Sequence, residues 1–217
     1  MGSRRVQPSV LRGSDETERT LAPGFQAVHD DYGFDPHLFD ILHEVHTVTQ
    51  EIDIVNPPTS EVIPLRLREQ IRSVQYDLLS RENHDDTSGS GDQLLEACRL
   101  GVLLYVGIIQ NEFWVSSTSK HLIWQLKSCL QRGSFASDST CALRLWLVFL
   151  AGSLVLDPTE RLWFVYSIVQ TVSQLSLPNW WDAKSLLETF AWTGKVQDKS
   201  GRDLWDEAMR TESVLRE

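Results

Sequence analysis

The stretch LRLWLVFLAGSLVLDPTERLWFV, residues 143–165, decides the fold of this chain. Its first part, residues 143–156, is apolar on nearly every side of a helix and so predicts a helix that is buried all round. A membrane-spanning helix needs about 20 apolar residues, whereas this segment has 14 and contains Arg144. Asp157-Pro158-Thr159-Glu160 then predicts a second helix that runs to about Leu175. Asp is its N-cap, Pro its first helical residue and Glu the returning acid of a capping box.

Further helices are predicted on both sides of this pair. Upstream, the run LLEACRLGVLLYVGII at 94–109 is apolar on most faces, and a helix from about Ser117 to Gln131 has one apolar face. Asp138 is predicted to cap the helix that contains residues 143–156. Downstream, helices are predicted from Trp180 to Trp192 and from Asp203 to Leu215, joined by the polar turn TGKVQDKSG.

The N-terminal part of the chain predicts two more helices. Asp35-Pro36 opens the first, which Asn56-Pro57-Pro58 stops. The second begins after Ser60 or at Pro64 and carries a narrow apolar stripe of Leu67, Ile71, Val74 and Leu78. That stripe would serve a dimer or packing within the chain equally well. Residues 82–91 predict a surface loop, and residues 1–33 a disordered or loosely attached N-terminal tail.

The predicted fold is therefore all-α, an irregular array of about seven or eight helices in one domain covering residues 34–217. No segment alternates apolar and polar residues as a half-buried strand does. No internal repeat recurs at a fixed period, so a regular solenoid is not predicted.

Composition and charge limit the classes of function that the chain is expected to have. The 217 residues carry a formal charge of −10, which disfavours a nucleic-acid-binding surface because phosphate affinity depends on clustered Lys and Arg. The first twenty residues contain no apolar segment of the kind a secretory signal needs. Three cysteines, Cys98, Cys129 and Cys141, lie in apolar helical stretches and predict buried thiols in a reducing compartment. We therefore expect a soluble, intracellular protein without a membrane span.

Motifs for metal binding and catalysis are absent from the sequence. His43 and His46 are three apart on the first predicted helix, with His37 before them and Glu44 between them, but no HExxH pattern completes a zinc site. A Cys129–His121 pair is separated by more than two helical turns, about 12 Å of rise, which is too far for direct contact. No nucleotide-binding or serine hydrolase motif is present. We predict no catalytic, cofactor-binding or metal-binding residues and no cofactor, and we expect that the protein is not an enzyme.

All eight tryptophans lie in the C-terminal half of the chain: Trp114, Trp124, Trp146, Trp163, Trp180, Trp181, Trp192 and Trp205. Most are expected to fill the core between helices, since a Trp side chain brings a large apolar area and needs one hydrogen-bond partner. The alternative is an aromatic pocket for an apolar metabolite. For such a pocket, Tyr105, His121 and Trp124 are the first residues to mutate, as polar or aromatic groups on apolar helices.

Three stretches of the sequence resemble the fungal-specific transcription factor domain. They are EACRLGVLLYVGI at 96–108, the stretch at 143–165 already quoted, and WWDAKSLLETFAWTGKVQDKSGRDLWDEAM at 180–209. That domain is the helical regulatory region which accompanies zinc binuclear cluster DNA-binding modules in filamentous fungi. The likeness extends from about Phe34 to Met209 and corresponds to the C-terminal part of the domain. The six-cysteine cluster of those proteins has no counterpart here.

The resemblance implies a regulatory protein that dimerises, contacts other transcriptional regulators or senses a small metabolite, and that resides in the nucleus. Without the resemblance, the expected location is the cytoplasm. Because the zinc cluster is missing, direct DNA binding is not expected. The first hypothesis is thus a regulatory or interaction protein, associated with the control of a secondary-metabolite gene cluster. The alternatives are a cyclase or isomerase of secondary metabolism that reuses the helical scaffold, and a truncated remnant.

Overall fold

The structure, a computed structural model, describes residues 19–54, 64–80, 90–110 and 117–215. Within these ranges it contains nine helices and no strand, so the predicted all-α class is confirmed. The helices are α1 (Pro23–Tyr32), α2 (Pro36–Ile54), α3 (Leu65–Leu79), α4 (Ser90–Ile109), α5 (Ser117–Arg132), α6 (Asp138–Leu154), α7 (Pro158–Gln174), α8 (Trp180–Leu187) and α9 (Gly194–Leu215). In this part of the chain, none of the helices combines the length and apolarity that crossing a lipid bilayer requires.

Helix α6 is the centre of the fold, as the sequence predicts. Every residue from Thr140 to Gly152 except Arg144 is buried, and α1, α4, α5, α7, α8 and α9 all pack against the helix. Its N-cap is Ser137, one residue before the predicted cap Asp138. The Ser137 hydroxyl accepts a hydrogen bond from the Thr140 amide, because a short hydroxyl side chain there reaches the free amides of the first turn.

The turn between α6 and α7 is held by hydrogen bonds and by close packing. Asp157 caps α7 as predicted, accepting hydrogen bonds from the amides of Thr159 at 2.9 Å and Glu160 at 3.0 Å. One turn later, Arg161 donates to the carbonyls of Gly152 at 2.8 Å and Val155 at 3.0 Å. Arg161 therefore satisfies carbonyls at the C-terminal end of α6, where, among the described residues, the only backbone amide that reaches them is that of Val155, 3.4 Å from the Gly152 carbonyl.

The prediction that residues 1–33 form a disordered or loosely attached tail is wrong from residue 19 onward. Residues 1–18 lie outside the described ranges. Helix α1 packs against α6, and Phe25 meets the rings of Trp146 at 5.3 Å and Phe190 at 5.1 Å in edge-to-face geometry. The Gly24 amide also donates to the carbonyl of Thr189 at 2.7 Å. This added helix raises the number of described helices to nine, above the seven or eight predicted.

The prediction of a turn in the polar segment TGKVQDKSG is also wrong. Helix α8 ends at Leu187, and α9 begins at Gly194 and includes all but the first residue of that segment. The reason is packing at Gly201, where an added Cβ would lie 2.9 Å from the ring atoms of Trp180 and of Trp192. The glycine marks a close helix contact, because only a residue without a side chain admits both rings.

The structure shows whether the apolar stripe on α3 packs within the chain or remains free for a dimer, a choice that the sequence left open. Its four residues Leu67, Ile71, Val74 and Leu78 are buried, and α3 packs against α2 and α4 of the same chain. At the C-terminal end of α3, the buried Arg99 of α4 donates to the Leu78 carbonyl at 2.8 Å. The predicted loop at 82–91 and the helix stop at Asn56 lie mostly outside the described residues, although residues 90 and 91 already belong to α4.

Candidate interaction surface

The structure separates the three residues that the sequence singles out. Tyr105 is fully buried on α4, whereas His121 and Trp124 are exposed on α5. They therefore do not line one common pocket. Tyr105 therefore has a different role from His121 and Trp124.

Tyr105 belongs to a buried chain of hydroxyl groups. Its hydroxyl oxygen lies 2.8 Å from that of Thr49 on α2 and 2.9 Å from that of Thr193, just before α9. The Thr49 hydroxyl donates its only proton to the Val45 carbonyl, so it must accept from Tyr105, and Tyr105 in turn accepts from Thr193. Burial raises the pKa of Tyr105 to about 12, so its hydroxyl is protonated at neutral pH. This geometry joins α2, α4 and the residue that precedes α9.

The space beside Tyr105 is too small for a metabolite. A crevice of about 180 Å³ lies between α2, α3 and α4, and it leaves no room for a water-sized sphere. Pockets that hold drug-sized ligands enclose about 300–1,000 Å³. Apart from Tyr105, its lining is aliphatic: Val45, Val48, Ile71, Val74, Val106 and Ile109. The Tyr105 region is therefore packed core, and it gives the cyclase or isomerase hypothesis no cavity of the required size.

The histidines of α2 form hydrogen bonds within the chain. The Nδ1 atom of His43 lies 2.8 Å from the carbonyl of Thr20 and therefore donates to it. The Nε2 atom of His46 lies 3.1 Å from the Gln50 side-chain nitrogen, and burial lowers the pKa of His46. His37 is exposed in the first turn, where its amide donates to Asp35. Among the described residues, no group of three or more His, Cys, Asp or Glu side chains is placed to hold a metal ion.

The three cysteines are buried and unpaired, as the sequence predicts. Burial raises the pKa of Cys98 to about 12 and also raises the pKa values of Cys129 and Cys141. These thiols are therefore protonated at neutral pH and are not activated as nucleophiles. His121 is exposed, whereas Cys129 is buried, so the two do not form a catalytic pair.

The tryptophans mostly fill the core, as expected. Four of them are buried: Trp146, Trp180, Trp192 and Trp205. Trp146 donates its indole N–H to the Ala191 carbonyl at 2.8 Å, and Trp192 donates to Asp198 at 2.9 Å. Trp163 is half-buried, and Trp114 lies outside the described residues. Trp124 and Trp181 are the exceptions, with 64% and 68% of their surface exposed.

Trp124 lies on α5 between His121 and Lys127, each about one helical turn away. The His121 ring stacks on it, with 6.2 Å between centroids and 19° between planes. Lys127, one turn further along α5, places its Nζ atom 5.3 Å from the ring centroid of Trp163 on α7, a cation–π distance. Tyr166 is 43% exposed, one turn after Trp163. We call His121, Trp124, Lys127, Trp163 and Tyr166 the α5–α7 surface.

Sequence reasoning identified only part of this surface. His121 and Trp124 were candidates for a pocket, but Lys127, Trp163 and Tyr166 were missed as members of an exposed site. One signal was visible in the sequence, since residues 117–132 contain two Lys, one Arg and no Asp or Glu. The contact between Lys127 and Trp163 depends on how α5 and α7 are placed, which residue spacing on one helix does not specify.

A second surface feature is a groove of about 770 Å³ between α7 and α9. Its lining carries both signs of charge, with Arg161 and Arg210 facing Asp203, Asp206 and Glu207. Arg161 contacts Glu207 at 2.7 Å, and Asp206 accepts from Arg202 at 3.0 Å. Because neither sign of charge dominates its lining, this groove has no electrostatic preference for one class of ligand.

None of the protein-family models, curated proteins and solved structures with which the chain was compared matches it. The likeness to the fungal-specific transcription factor domain therefore rests on the three sequence stretches alone.

Proposed function

We propose that this chain is a regulatory interaction protein of the fungal-specific transcription factor type, which acts by binding other regulators through the α5–α7 surface. The proposal places it in the nucleus of a filamentous fungus, associated with the control of a secondary-metabolite gene cluster. Its contribution there is protein binding, without direct contact to DNA.

The observation that carries this proposal is the exposure of Trp124, which stacks on His121 and lies one helical turn before Lys127. Residues that dominate the binding energy of protein interfaces are most often Trp, Tyr and Arg. Here Trp124 and Tyr166 are exposed, and Lys127 lies beside Trp163 on the same surface. An exposed aromatic cluster of this kind is typical of a binding surface.

The surface is also rigidly supported, which favours binding. Leu122 and Leu126 on the other face of α5, and Phe164 and Ile168 on α7, are buried in the core. A partner would therefore meet side chains whose helices are already fixed, and would lose less free energy in ordering them. The resemblance of residues 143–165 to a regulatory domain supports the same interpretation, because this stretch includes most of α6 and the first half of α7.

A tethering experiment in a filamentous fungus tests the proposal. The chain is fused to a heterologous DNA-binding domain, and the transcription of a reporter gene with matching upstream sites is measured. We expect the fusion to change reporter output several-fold and the Trp124→Ala fusion to lose the change. Trp181→Ala is the matched control, because Trp181 on α8 is equally exposed but lies outside the α5–α7 surface.

Different results test the proposed function and the assignment of the surface. A reporter that does not respond to the fused wild-type chain, at verified nuclear levels of the fusion, contradicts the proposed function. Equal loss in the Trp124→Ala and Trp181→Ala fusions contradicts the assignment of the surface. A fluorescent fusion of the untethered chain, imaged in the same host, checks the proposed nuclear location.

A further inference from the structure

We infer that the partner of the α5–α7 surface is an acidic segment whose carboxylates alternate with aromatic or aliphatic side chains. The inference rests on the proposed function and adds the chemistry of the partner. The first observation behind it is the distribution of charge along the chain. Helix α5 carries Lys120, Lys127 and Arg132 with no carboxylate, within a chain whose formal charge is −10.

The lysines of α5 are available to a partner: Lys127 belongs to the α5–α7 surface, and Lys120 lies one helical turn before Trp124. Among the described residues, no carboxylate pairs with Lys120 or Lys127, whereas Lys184, Arg161 and Arg202 elsewhere all contact Asp or Glu. Carboxylates of a partner can therefore form new ion pairs on α5 without breaking existing ones. The chain as a whole is acidic, whereas the charged side chains of α5 are all cationic, so this helix attracts an acidic segment.

The aromatic groups supply the second requirement. Trp124 is held by the stacked ring of His121, and Leu162 and Tyr166 of α7 are 46% and 43% exposed. Burial of these apolar surfaces becomes favourable only when apolar side chains of a partner cover them. A partner made of carboxylates alone would satisfy the cations and leave the rings in water. The surface therefore matches a segment that carries both kinds of side chain.

Lys127 connects the two requirements. Its position over the Trp163 ring holds the ammonium group in place, so that less conformational entropy is lost when a carboxylate binds it. Trp124 lies one turn earlier on the same helix. A carboxylate on Lys127 thus places the neighbouring apolar side chain of the partner near the Trp124 ring.

The test measures binding of fluorescein-labelled peptides to the full 217-residue chain by fluorescence anisotropy. The probe is a synthetic peptide with Asp or Glu flanking Leu and Phe at positions i, i+3, i+4 and i+7. Two control peptides have the same length: polyglutamate, and a version of the probe with Lys in place of every acid. Binding is measured at low and at high salt, since exposed ion pairs are screened over about 10 Å at 0.1 M.

We expect the acidic apolar probe to bind, more weakly at high salt, and both controls to bind at least about tenfold less tightly. Trp124→Ala and Lys127→Glu should each weaken probe binding about tenfold or more, and Trp181→Ala should leave it unchanged. Trp124 and Trp181 are exposed and Lys127 is half-buried, so thermal unfolding should confirm that all three variants are folded.

Several results would overturn the inference. Equal or tighter binding of the Lys-containing peptide would show that the charge preference is wrong. Polyglutamate binding as well as the probe would show that the aromatic groups contribute nothing. Self-association of the chain that Trp124→Ala abolishes, with no probe binding, would assign the surface to a second copy.

The inference and the proposed function fail in different ways. A reporter that responds to the tethered chain through Trp124, together with no probe binding, refutes the partner chemistry and leaves the regulatory role standing. Specific probe binding together with a silent reporter refutes the regulatory role and leaves the binding surface standing.

Discussion

The hydroxyl oxygen of Tyr105 lies 2.9 Å from that of Thr193, 88 positions further along the chain. The contact joins α4 to the residue that precedes α9, and the same Tyr105 hydroxyl donates to Thr49 on α2. Two helices and the residue before a third, from distant parts of the sequence, are thereby joined by one phenol group. A residue that the sequence marks for possible chemistry therefore has a structural role.

Replacement of Tyr105 by Phe should lower the free energy of unfolding by about 1–3 kcal/mol, because the Thr193 hydroxyl then keeps a buried donor without an acceptor. Urea unfolding followed by circular dichroism measures the change. Tyr76→Phe is the control, since Tyr76 is 73% exposed and its loss should change stability by less than about 0.5 kcal/mol. Equal stability of the two variants would show that the hydroxyl chain contributes nothing.

Gly201→Ala should destabilise the protein by about 1–3 kcal/mol, although Ala favours helices over Gly by about 1 kcal/mol. The reason is steric, since the new methyl group would lie 2.9 Å from the rings of Trp180 and Trp192. Thermal unfolding of this variant is compared with that of Ser185→Ala on the exposed side of α8. A raised melting temperature for Gly201→Ala would mean that the rings do not pack there.

Arg161→Ala should cost about 2 kcal/mol, because it removes the hydrogen bonds to the Gly152 and Val155 carbonyls and the contact with Glu207. Arg202→Ala removes the exposed pair with Asp206 and should cost less than about 0.5 kcal/mol. Denaturant titration of both variants gives the difference. If the two losses are the same, the carbonyl contacts of Arg161 have no energetic role.

Stability should fall as the pH rises above about 9, in part because of Cys98. The unfolded thiol has a pKa near 9.0, whereas burial raises the pKa of folded Cys98 to about 12. The folded state therefore holds this proton more tightly, so its stabilising contribution is complete below pH 9 and is lost between pH 9 and about 12. The expected slope is at most about 1.4 kcal/mol per pH unit for this group.

Urea unfolding of the reduced protein at pH 8, 9, 10 and 10.5 measures the slope. Cys98→Ala should reduce it, whatever the variant does to stability at pH 8. An unchanged slope in Cys98→Ala would assign the alkaline loss to other groups. Tyr105 is the next candidate, since its pKa is also raised, from 10.0 to about 12.

The sequence predicted the helices that are buried on all sides, and the reason is their composition. A segment such as residues 143–156 has almost no polar residue, so burial is its only stable environment in water. Asp157 with Pro158 then specifies where the next helix begins, because few other residue pairs satisfy a helix start in this way.

The two errors in the fold have a common physical origin. Helix α1 and the first part of α9 contain few apolar residues, and they are stabilised by contacts with distant parts of the chain. Phe25 packs on Trp146 and Phe190, and Gly201 packs on Trp180 and Trp192. Local sequence patterns carry no information about those partners, so a polar segment with glycines resembles a turn.

The candidate surface was predicted in part for a similar reason. The lack of carboxylates in residues 117–132 belongs to the sequence, and so does the presence of His121 and Trp124 on one helix. The exposure of Trp124 and the pairing of Lys127 with Trp163 follow only from the relative positions of α5 and α7. Tertiary placement therefore decides between a core aromatic residue and a binding residue.

The burial of α6 on all sides also has a consequence for biosynthesis. Three helices follow α6 in the chain, and two of them, α7 and α9, cover much of its surface. While the ribosome is still adding those residues, an almost wholly apolar helix has no complete set of partners. Such a nascent chain is exposed to aggregation and to chaperone binding until α9 has emerged. Folding of this protein is thus a late event in its synthesis, and codon changes that slow translation between α6 and α9 should lower its soluble yield.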